Sequence, residues 1–593
     1  MQDHIILGLS FIIAIGVLAQ WVAMQLKLPS ILFLLVFGCV AGPITSMIKP
    51  DLILGDLLFP IVSLSVAIIL FEGGTDLKLN ELKEIGKVVL NMITVGVLVT
   101  WVLISAAAYI FLQFNLSISI LLGAMLVVTG PTVIGPLLRH MRPSGKVGNI
   151  VKWEGIMNDP IGVIIAVLVF ESILSHSIQE AGIVVFGGII KTLFMGIVIS
   201  VGFSGLLIFL LKRYLIPDAL HQVFTLMLVI VAFVMSNIVQ PESGLLTVTL
   251  MGIILANQNI VSIKHIVEFK ENLRTLIICT LFIILSARLK MSELTSIDLN
   301  SLIFVGVLIL VVRPVSVWIA TMKTDLRWQD KLFVAWMAPR GIVAAAMASI
   351  FAFELSHAGH PEAARLVPIT FLVIIATVVV YGITATPLAH FLKLAKANPQ
   401  GTIMVGAHRW ARLLAKVLQD HGLRVVLLDS NGYNISKAKQ EGLEAYHQNV
   451  LTEGVLNQIN LEDVGRIFAM TPNDEANTLA ALRFQGTFGR ANIYQLYPEH
   501  LEEGGAEKSS QQHLHGRFLF SQNMGYEELT KKLTGLNSFE KFSVGEGASL
   551  KDLIRQHNVI PLFLIRQEGS LGVFTDEGNL QPEEGDVLIA LRN

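Results

Sequence analysis

The sequence predicts a polytopic α-helical membrane protein of about thirteen spans, followed by a soluble α/β domain. Of its 593 residues, 53% are hydrophobic and only 15% are charged, and the mean hydropathy is +0.67. These values exceed the range of soluble globular proteins. Nearly all the long apolar runs precede Ala397, and short strand patterns alternating with amphipathic helix patterns begin after Pro399. One part of the chain is therefore expected in lipid and the other in water.

Thirteen apolar stretches have the length needed to cross a bilayer, with the count uncertain by one. The first begins without the basic segment of a cleaved signal, so we interpret it as a retained span. The stretches are 4–25, 29–46, 56–74, 86–112, 116–138, 148–173, 181–211, 219–239, 243–259, 272–288, 299–322, 331–354 and 364–393.

Lysine and arginine in the loops predict the orientation of these spans. Loops on one side carry 18 such residues and loops on the other side carry four, Lys49, Arg288, Lys290 and Arg365. By the positive-inside rule the N-terminus lies outside a bacterial inner (plasma) membrane, and the C-terminal domain lies in the cytoplasm. The net charge of −2 gives no basic field that would attract nucleic acid.

The sixth span contains a cluster of ionisable and polar residues. Its segment WEGIMNDPIGV, residues 153–163, places Asp159 near mid-membrane, with Asn158 beside it and Glu154 five residues earlier. Ionisable groups at this depth are costly and mark functional sites. Because desolvation disfavours the charged form of a carboxylate, Asp159 can exchange a proton near physiological pH. The alternative is a structural carboxylate that caps the turn at Pro160 or is permanently paired with an arginine.

The fifth span carries a helix break at its centre. In TGPT, residues 129–132, Gly130 admits non-helical torsions and Pro131 removes a backbone donor. Non-helical backbone survives in a membrane only where it is buried in protein or lines a cavity. Its carbonyls and the hydroxyls of Thr129 and Thr132 can ligate a cation. A simple proline kink is the other interpretation.

The twelfth span repeats this pattern in WMAPRGIVAAAMAS, residues 336–349, where Arg340 lies between Pro339 and Gly341. Two broken helices seven spans apart suggest an internal repeat whose half-helices meet. Arg340 and a carboxylate would then balance the helix dipoles, with Glu154 as the predicted structural partner of Arg340. Glu72, near the cytoplasmic end of the third span, either lines the ion route or is solvated among lipid headgroups.

Together, FEGGTDL (71–77), TGPT, EGIMNDP (154–160) and PRGIVAA (339–345) resemble the monovalent cation:proton antiporters of the NhaP type, over residues 4–393. The resemblance implies a homodimer in which a core with two crossed broken helices moves against a dimerisation domain. It also implies that Asp159 binds either a cation or a proton and that Asn158 holds the crossing. Thr129 would supply further metal ligands, and Glu154 with Arg340 would form a buried ion pair.

The chain departs from that family pattern at two positions. Gly130 stands where many relatives have aspartate, and Gly155 stands where a hydroxyl is frequent. A single central carboxylate that holds either one cation or one proton predicts electroneutral one-for-one exchange. Na⁺ or Li⁺ is the expected substrate cation, and K⁺ is the alternative.

The segment after Pro399 opens as a Rossmann unit: strand, tight turn, amphipathic helix, and a second strand ending in Asp429, 23 positions after Gly406. The glycine fingerprint is degenerate, because His408 and Ala411 replace its second and third glycines. The imidazole of His408 would crowd a dinucleotide, although as a base it could meet the phosphate of a mononucleotide.

The same region resembles the RCK domains that regulate potassium channels and exchangers, with an N-terminal part over 400–535 and a small β-rich part over 540–593. That resemblance implies a regulatory nucleotide such as AMP, ATP or NAD(H), and dimerisation through this domain as well as the membrane part. The candidate contacts are Gly406, His408, Arg409, Asp429 and Asn449. The alternative is an RCK fold that only dimerises.

Two other functional classes fit the sequence less well. A ligand-gated channel would need a pore loop with a carbonyl filter such as TVGYG, and the sequence contains none. An oxidoreductase would need a second substrate domain and catalytic pairs, which no pattern in the chain suggests. We therefore expect a transporter with a regulatory domain rather than an enzyme.

Overall fold

The chain divides into two compact units, residues 1–395 and 396–593, in a computed structural model. The structure describes residues 2–26, 30–141, 143, 146–174, 178–241, 243–258, 260–261, 264–291, 298–394, 400–452, 464–499, 515–521, 524–533, 539–545, 550–576 and 580–592. Each unit has its own hydrophobic core.

All the regular secondary structure in the described residues of the first unit is helical. Its α-helices are Gln2–Leu26, Ser30–Cys39, Pro50–Leu54, Leu58–Thr75, Leu82–Asn91, Val97–Ala107, Leu116–Met125, Pro131–Met141, Val147–Leu174, Ile178–Lys212, His221–Val239, Ser243–Asn257, Lys264–Ala287, Leu299–Val307, Arg313–Thr321, Trp328–Trp336, Ile342–His357 and Leu366–Phe391. Single π-helical turns, Val40–Ile44, Met92–Gly96, Ala108–Leu112 and Leu308–Val312, extend or join some of them.

The predicted polytopic helical fold is confirmed. Within the described residues, eight helices are long and apolar enough to cross a membrane, and five shorter apolar helices accompany them. Each predicted span coincides with at least one of these thirteen. Many large apolar side chains on the outer helices face away from the protein, as expected where the surrounding solvent is lipid.

The fifth and twelfth predicted spans are interrupted helices. Leu116–Met125 and Pro131–Met141 are separated by residues 126–130, and Trp328–Trp336 and Ile342–His357 by residues 337–341. We call these pairs the first and second broken helix. Val147–Leu174, which carries Asp159, continues through Pro160 without a break, and we call it the carboxylate helix.

The second unit contains a parallel sheet in the order β3-β2-β1-β4-β5-β6. Side chains alternate between its faces: Met404 and Phe468 point to one core and Ile403 and Val405 to the other. Both faces are covered, as is typical of doubly wound folds. The strands are β1 Gly401–Val405, β2 Val425–Asp429, β3 Glu444–His447, β4 Val464–Ala469, β5 Ile493–Gln495 and β6 Arg517–Phe518.

An antiparallel sheet, β7-β10-β8-β9, follows the parallel one in the chain. It contacts the parallel sheet through stacked rings of Phe468 and Phe563, whose centroids are 5.5 Å apart. Its strands are β7 Glu540–Ser543, β8 Val559–Ile565, β9 Leu571–Val573 and β10 Val587–Arg592. The helices of this unit are Arg409–Asp420, Gly432–Gln440, Asp474–Phe488, Tyr526–Leu533 and Leu550–His557.

Candidate functional site

The two broken helices cross at a pair of glycines. The Gly130 N–H donates a hydrogen bond of 2.9 Å to the Pro339 carbonyl, which joins the two unwound segments. A Cβ on Gly130 would lie 2.7 Å from Gly341 Cα, and one on Gly341 would lie 2.6 Å from Gly130 Cα. Any side chain would separate the segments, so glycine is required at both positions.

Arg340 caps the carbonyl end of the other broken helix. Its guanidinium donates to the carbonyls of Val127 and Val128, at 3.1 and 3.2 Å. These carbonyls follow Leu116–Met125, where the helix dipole places partial negative charge. The side chain is 5% exposed, and its positive charge is thus held against the unwound segment beside the crossing.

Glu154 is paired with Arg313, so the predicted pairing with Arg340 is wrong. The guanidinium of Arg313 donates to both carboxylate oxygens, at 2.8 Å for Nη2 to Oε2. Arg313 also donates to the carbonyls of Val334 and Met337, both at 2.9 Å, at the carbonyl end of Trp328–Trp336. Arg340 cannot take this role because its guanidinium is directed to the first broken helix. An arginine within an apolar span is itself the signal that would have identified Arg313.

Asp159 and Asn158 each carry a buried side-chain oxygen, and Asp159 lines a pocket together with both crossing glycines. Asp159 and Asn158 are 1% and 3% exposed, and Oδ1 of each has no hydrogen-bond partner among the described residues. Such atoms are rare in proteins and call for an explanation such as a bound ion. The Asn158 amide donates to Glu154 at 3.5 Å. The predicted role of Asn158 in holding the crossing is therefore corrected: its donor meets the ion pair, and Gly130 and Pro339 join the segments directly.

Thr129 lies in the unwound segment and faces the carboxylate helix. Its hydroxyl donates to the Gly155 carbonyl at 3.4 Å, one helical turn before Asp159. A Cβ on Gly155 would lie 2.6 Å from Cδ1 of Ile134, so that side chain fills the space a hydroxyl residue would need. The side chain of Thr132 lies outside the part of the chain that the structure describes.

Glu72 is buried in an ion pair, so the alternative of a headgroup-solvated residue is wrong, and its place along the ion route stays a prediction. Its Oε1 is 2.9 Å from Nη1 of Arg274, and its side chain is 3% exposed. Glu72 follows Ile69 by one helical turn, and Ile69 lines the cavity at Asp159. The pair therefore lies on the side of that cavity nearer the end of helix Leu58–Thr75.

Two adjoining pockets lie on the side of Asp159 that faces away from Glu72. The inner one is lined by Asp159 and by both crossing glycines. The outer one shares Val66 and Val343 with it and extends past Val167, towards the end of the carboxylate helix at Leu174. Its polar lining residues include Ser63 and Asn237.

In the soluble unit, Asp429 ends β2 as predicted, but its carboxylate is bonded within its own turn. It accepts hydrogen bonds from the backbone N–H groups of Ala407 and Asn431, both at 2.8 Å, and from the Asn434 amide at 2.9 Å. Gly406 has a φ of +105°, the left-handed conformation that the tight turn after β1 requires.

Both ring nitrogens of His408 have protein partners, which argues against its predicted contact with a phosphate. Its Nδ1 accepts from the Ala411 N–H at 3.4 Å and caps the helix Arg409–Asp420, while Nε2 donates to the Met470 carbonyl at 2.8 Å. Burial lowers the pKa of His408 to about 4, although the hydrogen bond to Met470 opposes this effect. The ring is therefore neutral at physiological pH.

The two remaining candidates on this unit are exposed. Arg409 is the first residue of its helix and faces solvent. Asn449 accepts the N–H of Leu451 at 2.9 Å and shapes the turn after β3. Their contacts with a nucleotide remain predictions.

Comparison with known families decides what the membrane unit is. Residues 10–391 match the family described as "Sodium/hydrogen exchanger, transmembrane". The chain belongs to this family. Residues 402–498 match the TrkA-N domain, a Rossmann-like nucleotide-binding fold, in agreement with the predicted RCK-type module.

Several relatives of the exchanger are named as antiporters. This chain is 24% identical over 403 residues to "K(+)/H(+) antiporter NhaP" of Alkalimonas amylolytica, and the match covers 67% of this chain and 68% of the relative. It is 26% identical over 426 residues to "Probable Na(+)/H(+) antiporter 2" of Methanocaldococcus jannaschii, covering 66% and 97%. The predicted resemblance to NhaP-type antiporters is thus confirmed, and the names of the relatives include both cations.

A solved structure shares the fold of the exchanger's membrane unit. It is the sodium proton antiporter MjNhaP1 of Methanocaldococcus jannaschii at pH 8, with a TM-score of 0.59 and 24% identity. The match covers 65% of this chain and 98% of that one. This likeness shows the fold of the membrane unit, whereas the family match and the named relatives identify the chain as a cation/proton antiporter of the NhaP type with a C-terminal TrkA-N region.

Proposed function

We propose that this exchanger trades Na⁺ or Li⁺ for H⁺, one for one, at Asp159. The observation that carries the proposal is the buried Oδ1 atom of Asp159, which has no partner in the described part of the chain and whose residue lines a pocket with both crossing glycines; the Oδ1 of the neighbouring Asn158 is likewise buried and unpartnered. A carboxylate at this depth is stable when it is neutralised, either by a proton or by a cation. The two occupants therefore exclude one another, which couples their fluxes.

The oxygen atoms around Asp159 support a cation ligand set. Asp159 contributes the charge, Asn158 an amide oxygen, and Thr129 a hydroxyl oxygen whose lone pairs stay available because it donates to Gly155. Oxygen donors of this kind suit hard cations such as Na⁺ and Li⁺. The charge of Glu154 is compensated by Arg313, so Glu154 has a structural role and does not carry the ion.

K⁺ is the second candidate for the transported cation. The specific observation in its favour is the name of the Alkalimonas relative, a K⁺/H⁺ antiporter of similar coverage. Gly130 and Gly155 add no oxygen side chain to the site, and the remaining ligand set carries a single negative charge.

Transport requires Asp159 to face each side of the membrane in turn. The outer cavity supplies a route towards Leu174, the end of the carboxylate helix that the distribution of basic loops assigns to the outside. A rearrangement that opens the other side, past Glu72 and Arg274, completes the cycle. The exchanger works as a homodimer, with the C-terminal domain as its cytoplasmic regulator.

Proteoliposomes with an internal pH dye test the proposal. Outward-directed gradients of Na⁺, Li⁺ and K⁺ are each imposed, and proton uptake is recorded. We expect a signal with Na⁺ and Li⁺ that is lost in Asp159→Asn, because an amide holds neither a proton nor a cation charge. Glu171→Gln is the matched control: this carboxylate lies on the same helix but is exposed, so its loss should leave the signal unchanged.

The results separate the alternatives. A signal with K⁺ alone would replace the substrate cation but keep the carrier residue. Exchange that persists in Asp159→Asn would refute the assignment of that residue.

A further inference from the structure

The TrkA-N fold normally receives a nucleotide at the turn between its first strand and first helix. There the phosphates lie over a glycine-rich backbone and accept hydrogen bonds from N–H groups at the helix N-terminus. Such a site needs an uncovered turn and available N–H groups. Each requirement can be checked at the turn that joins β1 to helix Arg409–Asp420.

The His408 ring covers the turn. A Cβ built on Gly406 would lie 3.3 Å from Cδ2 and 3.4 Å from Nε2 of His408, and 3.0 Å from the Met470 carbonyl oxygen. The absence of a side chain at Gly406 therefore makes room for an imidazole of the protein itself. In this fold the phosphate approaches the backbone at the second glycine of the fingerprint, which is the position that His408 itself occupies.

Protein groups also use N–H donors of the turn. The Ala407 N–H donates to the Asp429 carboxylate, and the Ala411 N–H donates to Nδ1 of His408. Asp429 already accepts three hydrogen bonds, so a ribose would compete with Asn431 and Asn434 for it.

Aromatic contacts hold the His408 ring in place. Its centroid is 4.1 Å from the Trp410 ring and 5.0 Å from the Tyr526 ring, which meets it edge to face. The Trp410 indole donates to the Thr530 hydroxyl at 3.2 Å, so helix Tyr526–Leu533 is joined to the same cluster. Moving the ring would break two hydrogen bonds and this packing.

We propose that the soluble domain does not bind NAD(H) or ATP, because His408 occupies the position at which this fold binds the phosphates of a nucleotide. The turn serves as a permanent contact between β1, the end of β4 at Met470 and helix Tyr526–Leu533. This proposal concerns the soluble domain alone and stands independently of the ion carried at Asp159.

Calorimetry on the purified full-length chain in detergent tests this proposal, with NADH and ATP as probes. The unaltered chain should give no saturable heat at millimolar nucleotide. His408→Gly opens the turn and should create binding at least about tenfold tighter than any residual binding of the parent. His408→Ser provides a second variant, since serine keeps a side-chain acceptor for the helix cap while removing the ring.

His421→Ala is the matched control. This substitution removes an imidazole from the end of the same helix, where Nδ1 is hydrogen-bonded to the Val417 carbonyl. The variant should give no saturable heat with either nucleotide. Saturable binding of either probe by the unaltered chain would overturn the proposal. The thermal unfolding midpoint shows whether each His408 variant is folded. If both variants keep the midpoint of the parent and still bind neither nucleotide, the proposal is also overturned.

Discussion

Two buried arginines have separate roles in the membrane unit, and the difference lies in the acceptors that each guanidinium reaches. Arg313 neutralises Glu154 and caps one broken helix, whereas Arg340 caps the other and has no carboxylate in hydrogen-bond contact among the described residues. The negative charge of Glu154 is thus neutralised by Arg313. Asp159 is left as the acidic group whose charge an ion can change.

Separating the Glu154–Arg313 pair should be costly. Glu154→Gln leaves a buried guanidinium without its counter-ion, at an expected cost of about 3–5 kcal/mol. Adding Arg313→Met should recover part of this loss, because no unpaired charge remains, while adding Arg340→Met should not. Thermal unfolding midpoints in detergent measure the three variants. Coupling of Glu154 to Arg340 instead would contradict the assigned pair.

The same comparison shows what residue types reveal. The rarity of charge in lipid correctly predicted that Glu154 and Arg340 are buried. It did not identify their partners, because spacing along a chain says nothing about which side chains of different helices meet. Arg313 carried the same signal as Arg340, and the choice between them depends on the packing of Arg313–Thr321 against the core.

His408 should make the soluble unit sensitive to acid. Its folded pKa of about 4 lies below the unfolded value of 6.5, so its contribution to stability is complete above pH 6.5 and is lost as the pH falls towards 4. The maximum loss is roughly 3 kcal/mol. Hydrogen exchange of residues 401–421 in the full chain should show increasing opening below pH 6. In His408→Ser, hydrogen exchange should increase less between pH 7 and acidic pH than it does in the parent. An equal increase in the two proteins would refute the burial of a neutral imidazole.

At the scale of elements, the unwound segments set the geometry of the site. The sequence predicted both breaks from Gly-Pro and Pro-Arg-Gly patterns, and both lie where predicted. Local rules suffice there because proline and glycine act on their own turn of helix. The contact of Gly130 with Gly341 spans 211 residues of chain, and only the proposed repeat and the family resemblance suggested that the segments would meet.

Gly130→Ala should stop transport by forcing the segments apart. The added methyl would lie 2.7 Å from Gly341 Cα, a backbone atom that cannot rotate away. Gly135→Ala is the control, since a Cβ at that position meets no atom within 4 Å and alanine favours the helix. Dye-monitored exchange in proteoliposomes should be lost in the first variant and kept in the second. Normal exchange by Gly130→Ala would show that the crossing tolerates separation.

At the scale of the whole molecule, the charge that crosses the membrane follows from the number of free carboxylates. We proposed Asp159 as the carrier, since Glu154 is compensated by Arg313 and Gly130 stands in place of an acid. On that proposal, the complex of Asp159 with H⁺ has the same net charge as its complex with a monovalent cation. The step that carries the cation and the return step that carries the proton therefore move equal charge in opposite directions, and no net charge crosses the membrane. Transport should be insensitive to membrane potential.

Solid-supported membrane electrophysiology provides the measurement. A sodium concentration jump should produce no sustained current in membranes whose dye signal proves exchange, and Asp159→Asn gives the baseline for ion binding alone. Gly130→Asp is not a useful way to add a charge, because its side chain would collide with Gly341. A current that grows in proportion to the proton flux would require a second titrating group in the cycle, and Glu72, released from Arg274 as the unit opens, would then be the first residue to neutralise.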